Sequence, residues 1–478
     1  MTVARTIGLV VAVGLATVYV ALPPRQRPLP DPAPADRPIR GVLHVHTKRS
    51  DGTGTIEQVA AAARRAGLEF VIVTDHSDAM RVEPASYRGG VLCIDAAEIS
   101  TQGGHVIGLG LGRTPYPLAG EPRDVIDDIR RFGGFSIVAH PMSEKRDLRW
   151  SDFTLPFDAF EWLNGDSEWR DERPAALARV LLTYWFRGSE SLATLLDRPA
   201  ELLARWDVLT QRKSAVALAG SDAHARIGFR GIGEPYDNAA ALPVPGYEQI
   251  FRTFSISLQG LALTGDAFVD ARAVVDAIRR GHVYSSIDAF AAPASLRFSG
   301  TSGGHRAQAG DTLAIAGPVS LRAETNGPAG AQITLFRDGE RIARNTGPLL
   351  EYSGPNTPAT YRIEIDTLDH RGDRQVPWIV SNPIYVRAPA SGPREAPKPT
   401  AKEFAPQVRV NAIAPGLVST GWMDKMGKDR IKDVLGMKLI KRPAQPEEIA
   451  KLASFLASDD AAMITGEIVY IDGGMRLK

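Results

Sequence analysis

His44 and His46 stand two residues apart in Val42-Leu43-His44-Val45-His46, and five residues on Asp51 sits in the loop sequence Ser50-Asp51-Gly52. Imidazole nitrogens and carboxylate oxygens in this proximity are ligands for a divalent metal, and a metal that keeps an open position does hydrolytic chemistry. One His-x-His pair carries little weight, but the pattern recurs. Thr74-Asp75-His76, Ala139-His140-Pro141 and Ser221-Asp222-Ala223-His224 follow, with Glu98 and His105 between them. Taken singly, each has a plain structural alternative: a satisfied core or surface imidazole, or a helix cap for Asp75 or Asp222. Independent structural roles would not gather six of the chain's nine histidines before residue 225, all but His140 within two residues of an Asp, a Gly or another His. His282, His305 and His370 lack such surroundings and read as structural.

Ligands spread over so much chain can meet only if the fold brings segment ends together. Residues 39–288 alternate short apolar runs with helical patterns: strands at Val42–His46, Phe70–Thr74, Phe135–Ala139 and Val216–Ala219, and helices at Thr55–Ala66 and Arg123–Phe132. Thr55 and Gln58 form a capping-box pair, and Gly67 is placed to end that helix. Repeated β-then-α units predict a parallel sheet or barrel with its site at the strand C-termini, where the His and Asp clusters fall. Alternate residues of a strand share a face, so a regular strand would align His44 with His46. Residues 173–213, with Trp185 and Trp206, read as a helical covering insertion. From 289 to 388 the pattern becomes short alternating runs punctuated by Gly, Pro and Asn, which predicts an all-β sandwich.

The chain has 478 residues, a formal net charge of +1 and one cysteine, Cys93. The apolar fraction, 44%, excludes wholesale disorder. The charge balance gives no reason to expect a nucleic-acid polymer as partner. A lone Cys forms no internal disulfide. Ile7 to Leu22 is an unbroken apolar run, followed by seven prolines between 23 and 38 and by Arg25, Arg27, Arg37 and Arg40. As a helix the run reaches roughly 24 Å, between a signal-peptide core and a short membrane anchor. Residues 1–22 are therefore expected to anchor the protein in a membrane or direct its export, on a side that sequence leaves open, with 23–38 as an extended spacer.

The order His-x-His-x4-Asp, Thr-Asp-His, Glu, His, Ala-His-Pro and Ser-Asp-Ala-His, over roughly residues 39–290, resembles the PHP (polymerase and histidinol phosphatase) metallohydrolases, closest to the carbaryl-hydrolase-like branch. The resemblance implies a distorted (β/α)7 barrel with two or three divalent metal ions (Zn, Mn or Fe). By its pattern one ion would be held by His44, His46, Glu98 and Asp222, a second by Glu98, His105 and His140, and a third by Asp51, His76 and His224. The last three would also be the catalytic residues, and Glu98 would bridge two ions. Six neutral imidazoles and three carboxylates around three such ions leave a charge of about +3, which acidifies bound water and attracts an anion. The expected activity is thus a metal-dependent phosphoesterase acting on a small phosphorylated substrate through a metal-activated hydroxide, with Arg226 and Arg230 as substrate-binding clamps on the phosphate. The alternatives are a metal-dependent ester, amide or carbamate hydrolase on the same site, and a non-catalytic metal-bound binding protein.

A second linker, rich in Pro over 389–403, leads to a tail, 404–478, that resembles the last third of a short-chain dehydrogenase/reductase. Val408-Arg409-Val410-Asn411-Ala412-Ile413-Ala414-Pro415-Gly416, Gln445-Pro446-Glu447-Glu448-Ile449 and Ile471-Asp472-Gly473-Gly474-Met475 carry the likeness. The Gly-rich dinucleotide turn and the Tyr-x3-Lys pair of that family are missing, so no dinucleotide site and no oxidoreductase activity are expected. The tail reads as a partial Rossmann-type fragment with apolar faces left uncovered: a fusion remnant, a docking module for a partner, or a weak nucleotide binder.

Overall fold

A computed structural model describes residues 7, 12, 14, 16–33, 37–80, 82–225, 244–367, 376–388, 408–421, 423, 426 and 428–475. The fold is mixed α/β with several sheets, and it divides into two compact units, residues 1–113 with 118–389, and residues 114–117 with 390–478.

In the first unit, β1 (Ile39–Val45) is followed by α1 (Ile56–Arg65) and β2 (Phe70–Val73). The helix starts where its sequence directs: Thr55 and Gln58 form the reciprocal capping box, and Gly67, at φ 75°, turns the chain back toward β2. The buried face of α1, Val59, Ala60, Ala62 and Ala63, packs on the apolar strands. β3 (Val91–Asp95) runs through Ala96 into β4 (Ala97–Thr101), which turns into β5 (Gly104–Leu109); α2 (Pro122–Arg131) then leads to β6 (Phe135–Val138). β7 (Ala159–Asn164) is followed directly by α3 (Gly165–Arg170), which precedes the expected insertion, and then by α4 (Pro174–Thr183), α5 (Gly188–Ala193) and α6 (Ala200–Thr210) within it, before β8 (Val216–Ala223). Trp206 is buried within it and Trp185 is exposed.

Pairing is parallel for β1–β2, β2–β3, β6–β7, β7–β8 and β8–β1, and antiparallel for β4–β5 and β5–β6. Because β5 runs antiparallel to β6, its first residues lie at the same rim as the C-terminal end of β6. That places His105, near the start of β5, within reach of His76, after β2, and His140, after β6.

The β-rich region forms two sheets. One has the order His305–Gln308, Leu296–Ser302, Val319–Thr325, Leu349–Gly354. In the other, Ala359–Asp366 pairs with Gln332–Arg337, Ile379–Ser381 and Ile384–Arg387. Ile379–Ser381 also hydrogen-bonds the strand Val283–Ser286, so this second sheet continues the sheet of the α/β part, and no packing break falls at 288–289. Sequence periodicity shows each strand but not which distant strand it joins.

The Pro-rich segment is extended, as expected, but does not stand off from the body. Arg27–Pro28 pairs with Ala291–Ala292, Gln26 Nε2 donates to the Asp288 carbonyl, and Asn326 Nδ2 donates to the Pro30 carbonyl. Just before it, the Ala21 carbonyl accepts from Arg179 Nε at 3.0 Å and the Pro23 carbonyl from Arg187. Among the described residues no helix is long and apolar enough to cross a membrane.

In the second unit a two-stranded parallel sheet, Ala412–Pro415 with Ile468–Ile471, accompanies helices Lys428–Met437 and Pro446–Ala457. Of Ile449, Leu452, Ala453 and Leu456, spaced to share one face of the second helix, only Leu456 is buried, while Phe455, Met463, Ile468 and Tyr470 are exposed. A pair of strands without the rest of a sheet cannot cover such faces.

Candidate metal centre

The chain delivers its ligand-type residues where strands end or break. Register shifts between Leu43 and Val45 in β1, and between Gly220 and Ala223 in β8, mark local bulges. His44 (φ 68°) and Asp222 (φ 46°) adopt left-handed backbone there, as does His140 (φ 32°) just after β6. Such a conformation costs a non-glycine residue about 1–3 kcal/mol and collects at functional sites. His44 and His46 turn to the same side, but not through regular strand alternation: the strand is kinked at His44, and His46 lies just past its end. The kink re-aims His44, and its ring centroid sits 5.1 Å from that of His46.

All nine predicted ligand residues converge, with Glu98 as the hub. Glu98 Oε1 lies 2.7 Å from His105 Nδ1 and 2.9 Å from His140 Nε2. Its Oε2 lies 3.2 Å from both His44 Nε2 and His46 Nε2 and 3.3 Å from His76 Nδ1. Asp222 Oδ1 is 3.3 Å from His44 Nε2 and 3.2 Å from His46 Nε2. On the outer side, Asp51 Oδ2 meets His224 Nε2 at 3.0 Å, and Asp51 Oδ1 lies 3.4 Å from His46 Nδ1 and 3.9 Å from His76 Nε2. Potential ligand atoms of His46, Asp51, His76 and His224 fall within one small sphere, as do those of His44, His46 and Glu98, of His44, His140 and Asp222, and of His76, Glu98 and His105.

Several residues that sequence reading missed hold these side chains. Glu161, on β7, takes His44 Nδ1–H at 2.6 Å on one oxygen, and the His140 amide (2.8 Å) and Asn164 Nδ2 (2.7 Å) on the other. The available signal was a lone acid in the buried run Ala159-Phe160-Glu161-Trp162-Leu163, since a fully buried carboxylate needs partners. Asp75 is not a helix cap: it accepts from the Thr47 amide (2.7 Å), Ser50 Oγ (2.6 Å) and Arg49 Nε (3.0 Å), fixing the loop that carries Asp51. Tyr247 donates to the His46 carbonyl at 2.7 Å.

These contacts test whether a cation suits the cluster. His44 Nδ1 donates to Glu161, His140 Nδ1 lies 3.2 Å from the Leu148 carbonyl, and His224 Nδ1 lies 3.0 Å from the Asp222 carbonyl. With those nitrogens as donors, each Nε2 of the neutral ring turns a lone pair toward a carboxylate, an arrangement that calls for a shared cation or a proton. His46 Nε2 is buried and makes no hydrogen bond. Burial pulls His46 down, but Asp222 and Glu98 outweigh it and hold the ring up at about 10; His44 and His140 are raised by the same competition. His76 is lowered, chiefly by burial. Burial pushes Glu98, Asp222 and Asp51 upward, yet the surrounding imidazoles hold all three carboxyls below their ordinary range. Ionised carboxylates that draw protons onto buried rings form a donor set suited to divalent ions.

Arg226, Arg230 and His370 lie outside the described residues. His282 pairs with Asp311 at 2.8 Å, away from the cluster, and His305 is exposed on its strand.

Glu168, on α3, is a different acid. Its carboxylate accepts from the Asp197 amide at 2.6 Å, and burial, reinforced by Asp171, Asp197 and Glu172, raises it from an ordinary 4.5 to about 8. The folded state therefore binds a proton that the unfolded chain has released. The associated stability is full below pH 4.5 and is lost as pH rises through 8. Glu168→Gln removes this dependence, so its melting temperature relative to wild type is expected to climb by a few degrees between pH 5 and pH 9. A difference that stays flat across that range would contradict the assignment.

Residues 394–476 match the family described as enoyl-(acyl carrier protein) reductase. Dehydrogenase/reductase SDR family member 4 from Sus scrofa is 37% identical over 124 residues, 23% of this chain and 43% of that protein. The chain thus spans less than half the length of this curated relative. A short-chain dehydrogenase from Bacillus anthracis str. 'Ames Ancestor' covers 16% of this chain and 29% of its own, at 39% identity and a TM-score of 0.14. A two-domain protein from Bacteroides vulgatus, described as containing a predicted PHP-like metal-dependent phosphoesterase, covers 75% of this chain and 99% of its own at 12% identity. Its TM-score is 0.33, a correspondence of shape too loose to carry any statement about chemistry. The tail is similar to short-chain dehydrogenase/reductases, and the part before it is similar to a PHP-like protein.

Proposed function

We propose that the first unit is a metal-dependent phosphoesterase. The observation that supports this most is the meeting of five imidazoles on the two oxygens of one buried carboxylate, Glu98, with Asp222 and Asp51 on either side. The ligand sets are His44, His46, Glu98 and Asp222; Glu98, His105 and His140; and Asp51, His76 and His224, for two or three divalent ions. When bound, such ions supply a positive field for a phosphate and lower the pKa of water toward neutrality.

The chain's own part is orientation. Glu161 fixes the tautomer and tilt of His44, and through the His140 amide it sets a second ligand. The contact of His224 Nδ1 with the Asp222 carbonyl fixes the ring and turns Nε2 toward Asp51, so that His224 stands beside the reacting phosphate. Asp51 and His76 complete the catalytic set. A distorted (β/α)7 barrel is the finer fold under this reading, supported by pairing of β1 with β2 and β2 with β3, by the chain running from β3 straight into β4, and by pairing from β4 through β5, β6, β7 and β8 back to β1. Residues 1–22 act as a membrane anchor or export segment, and the tail as a fusion remnant or docking piece.

The test is a panel of p-nitrophenyl phosphate, bis-p-nitrophenyl phosphate and 1-naphthyl carbamate, offered to the detergent-solubilised full chain with Mn2+ or Zn2+. Metal-dependent release of phosphate is expected. Turnover of the carbamate alone would move the reading to an amide or carbamate hydrolase, and turnover of none would leave a binding protein.

A further inference from the structure

Helix α4 has two unlike faces. Val180 and Thr183 are buried, and Ala176, Leu177 and Tyr184 pack partly buried against Val180, Leu192 and Leu195. On the outer side Leu181, Leu182, Trp185 and Phe186 are exposed, Trp185 by 77%. The Tyr184 amide bonds back to Val180, and those of Phe186 and Arg187 to Thr183, so the turn after α4 keeps a helical course. Residues one, four and five apart on such a course share one side. Four large apolar side chains thus form one uncovered face, and a contiguous cluster of that kind marks a contact with something other than water.

The two arginines that flank the face point to what meets it. Arg179 Nε donates to the Ala21 carbonyl at 3.0 Å, and Arg187 donates to the Pro23 carbonyl. Residues 16–21 are helical, and the Leu22 amide closes the last bond of that stretch on Val18. Carbonyls at a helix end have no amide of their own helix to pair with, so the guanidiniums cap the apolar run Ile7 to Leu22 where it stops. The four exposed residues lie between those arginines in the chain, within roughly 12 Å of helix. Tyr19 and Val20, on the run itself, are also exposed. The apolar surface of the run and that of α4 therefore adjoin, and an environment that takes up the first meets the second. A tryptophan at the edge of such a surface, with arginines whose stems reach along it, has the composition of a membrane–water boundary.

We propose that the outer face of α4 is a membrane-contact surface, with Leu181, Leu182, Trp185 and Phe186 entering the headgroup region of a lipid bilayer beside residues 7–22. The proposal rests on the reading of residues 7–22 as a membrane segment. The contact is one of apolar insertion: Arg170 and Arg173 stand among Asp166, Asp171 and Glu172, so the neighbouring charge is balanced and zwitterionic lipid suffices. The first unit then touches the bilayer twice, through the run and through α4.

Fluorophore labelling of the full chain in phosphatidylcholine vesicles tests this. Cys93, the chain's one cysteine, is buried and its thiol is pushed up to about 11 by burial, so a thiol-directed nitrobenzoxadiazole label goes to an introduced cysteine. The variants are Leu181→Cys and Trp185→Cys, with Val269→Cys as a control, since Leu181 and Val269 are both 49% exposed. Labels at 181 and 185 are expected to shift to the blue and to be quenched at least about threefold more than the label at 269 by lipid carrying a nitroxide near the glycerol end of its acyl chain, as suits an apolar face ~5–10 Å deep in the boundary. Quenching at 181 and 185 no greater than at 269 overturns the proposal. A blue shift without lipid quenching also overturns it, and shows a protein surface, such as a second copy of the chain, over α4. A label at Tyr19→Cys reports on the run by itself. If it is quenched while 181 and 185 are not, the contact surface falls and the membrane segment stands; if 181 and 185 are quenched and it is not, the membrane segment falls and the surface stands.

Discussion

Replacing Glu98 by Gln is expected to leave the purified chain with less than one tightly bound divalent ion and to lower turnover by about 1,000-fold or more. Glu98 is 1% exposed and faces nitrogens of His44, His46, His76, His105 and His140 at 2.7–3.3 Å, so both oxygens are committed. The amide keeps the shape but loses the charge and aims an N–H2 group at rings whose free lone pairs need a cation. The measurement is metal content by mass spectrometry after desalting, beside turnover of whichever panel substrate is cleaved. Wild-type metal content together with a wild-type rate would remove Glu98 from the centre of the site.

The second large effect lies one step outward, at a contact between β7 and β8. Glu161→Gln is expected to weaken metal binding 10- to 100-fold, because the buried His44 ring loses the carboxylate that fixes its orientation. Gly220→Ala is expected to do the same without touching any acid. A Cβ at 220 would lie 1.8 Å from Glu161 Oε1, and this carboxylate is pinned by His44, the His140 amide and Asn164, so something in that network must give way. Since both changes act through one displaced carboxylate, the double variant is expected to lose little more than either single one. Metal titrations of the four proteins measure the coupling. Fully additive losses would show that residue 220 acts by another route.

These two sites mark where sequence reading stops. The helix Ile56–Arg65 was legible because its signals are local: Thr55 and Gln58 at one end, Gly67 at the other. The nine ligand-type residues were legible because ligation restricts residue type, and their recurrence after apolar runs placed them at strand ends. Glu161 was hidden because its one nearby partner, Asn164, says nothing of a site, and its other partners lie on β1 and after β6. The left-handed backbone at His44 and Asp222 was equally hidden, since neither is the glycine that usually announces it. Hydrogen bonding of Ile379–Ser381 to Val283–Ser286 could not be read either, because register between distant strands is set by packing that no short window contains.

The strand formed by Arg27–Pro28 changes what the proline-rich segment does. A free stretch from Leu22 to Ile39 would let the body wander over tens of ångströms in any attitude. Pinned to Ala291–Ala292, only about five residue steps remain after the apolar run, a reach of about 17 Å at full extension. Whatever environment receives residues 7–22 is thereby held against one side of the molecule, the side of Arg179 and Arg187. The segment works as a short bracket: it fixes where on the body the chain after Leu22 begins, and leaves it little slack.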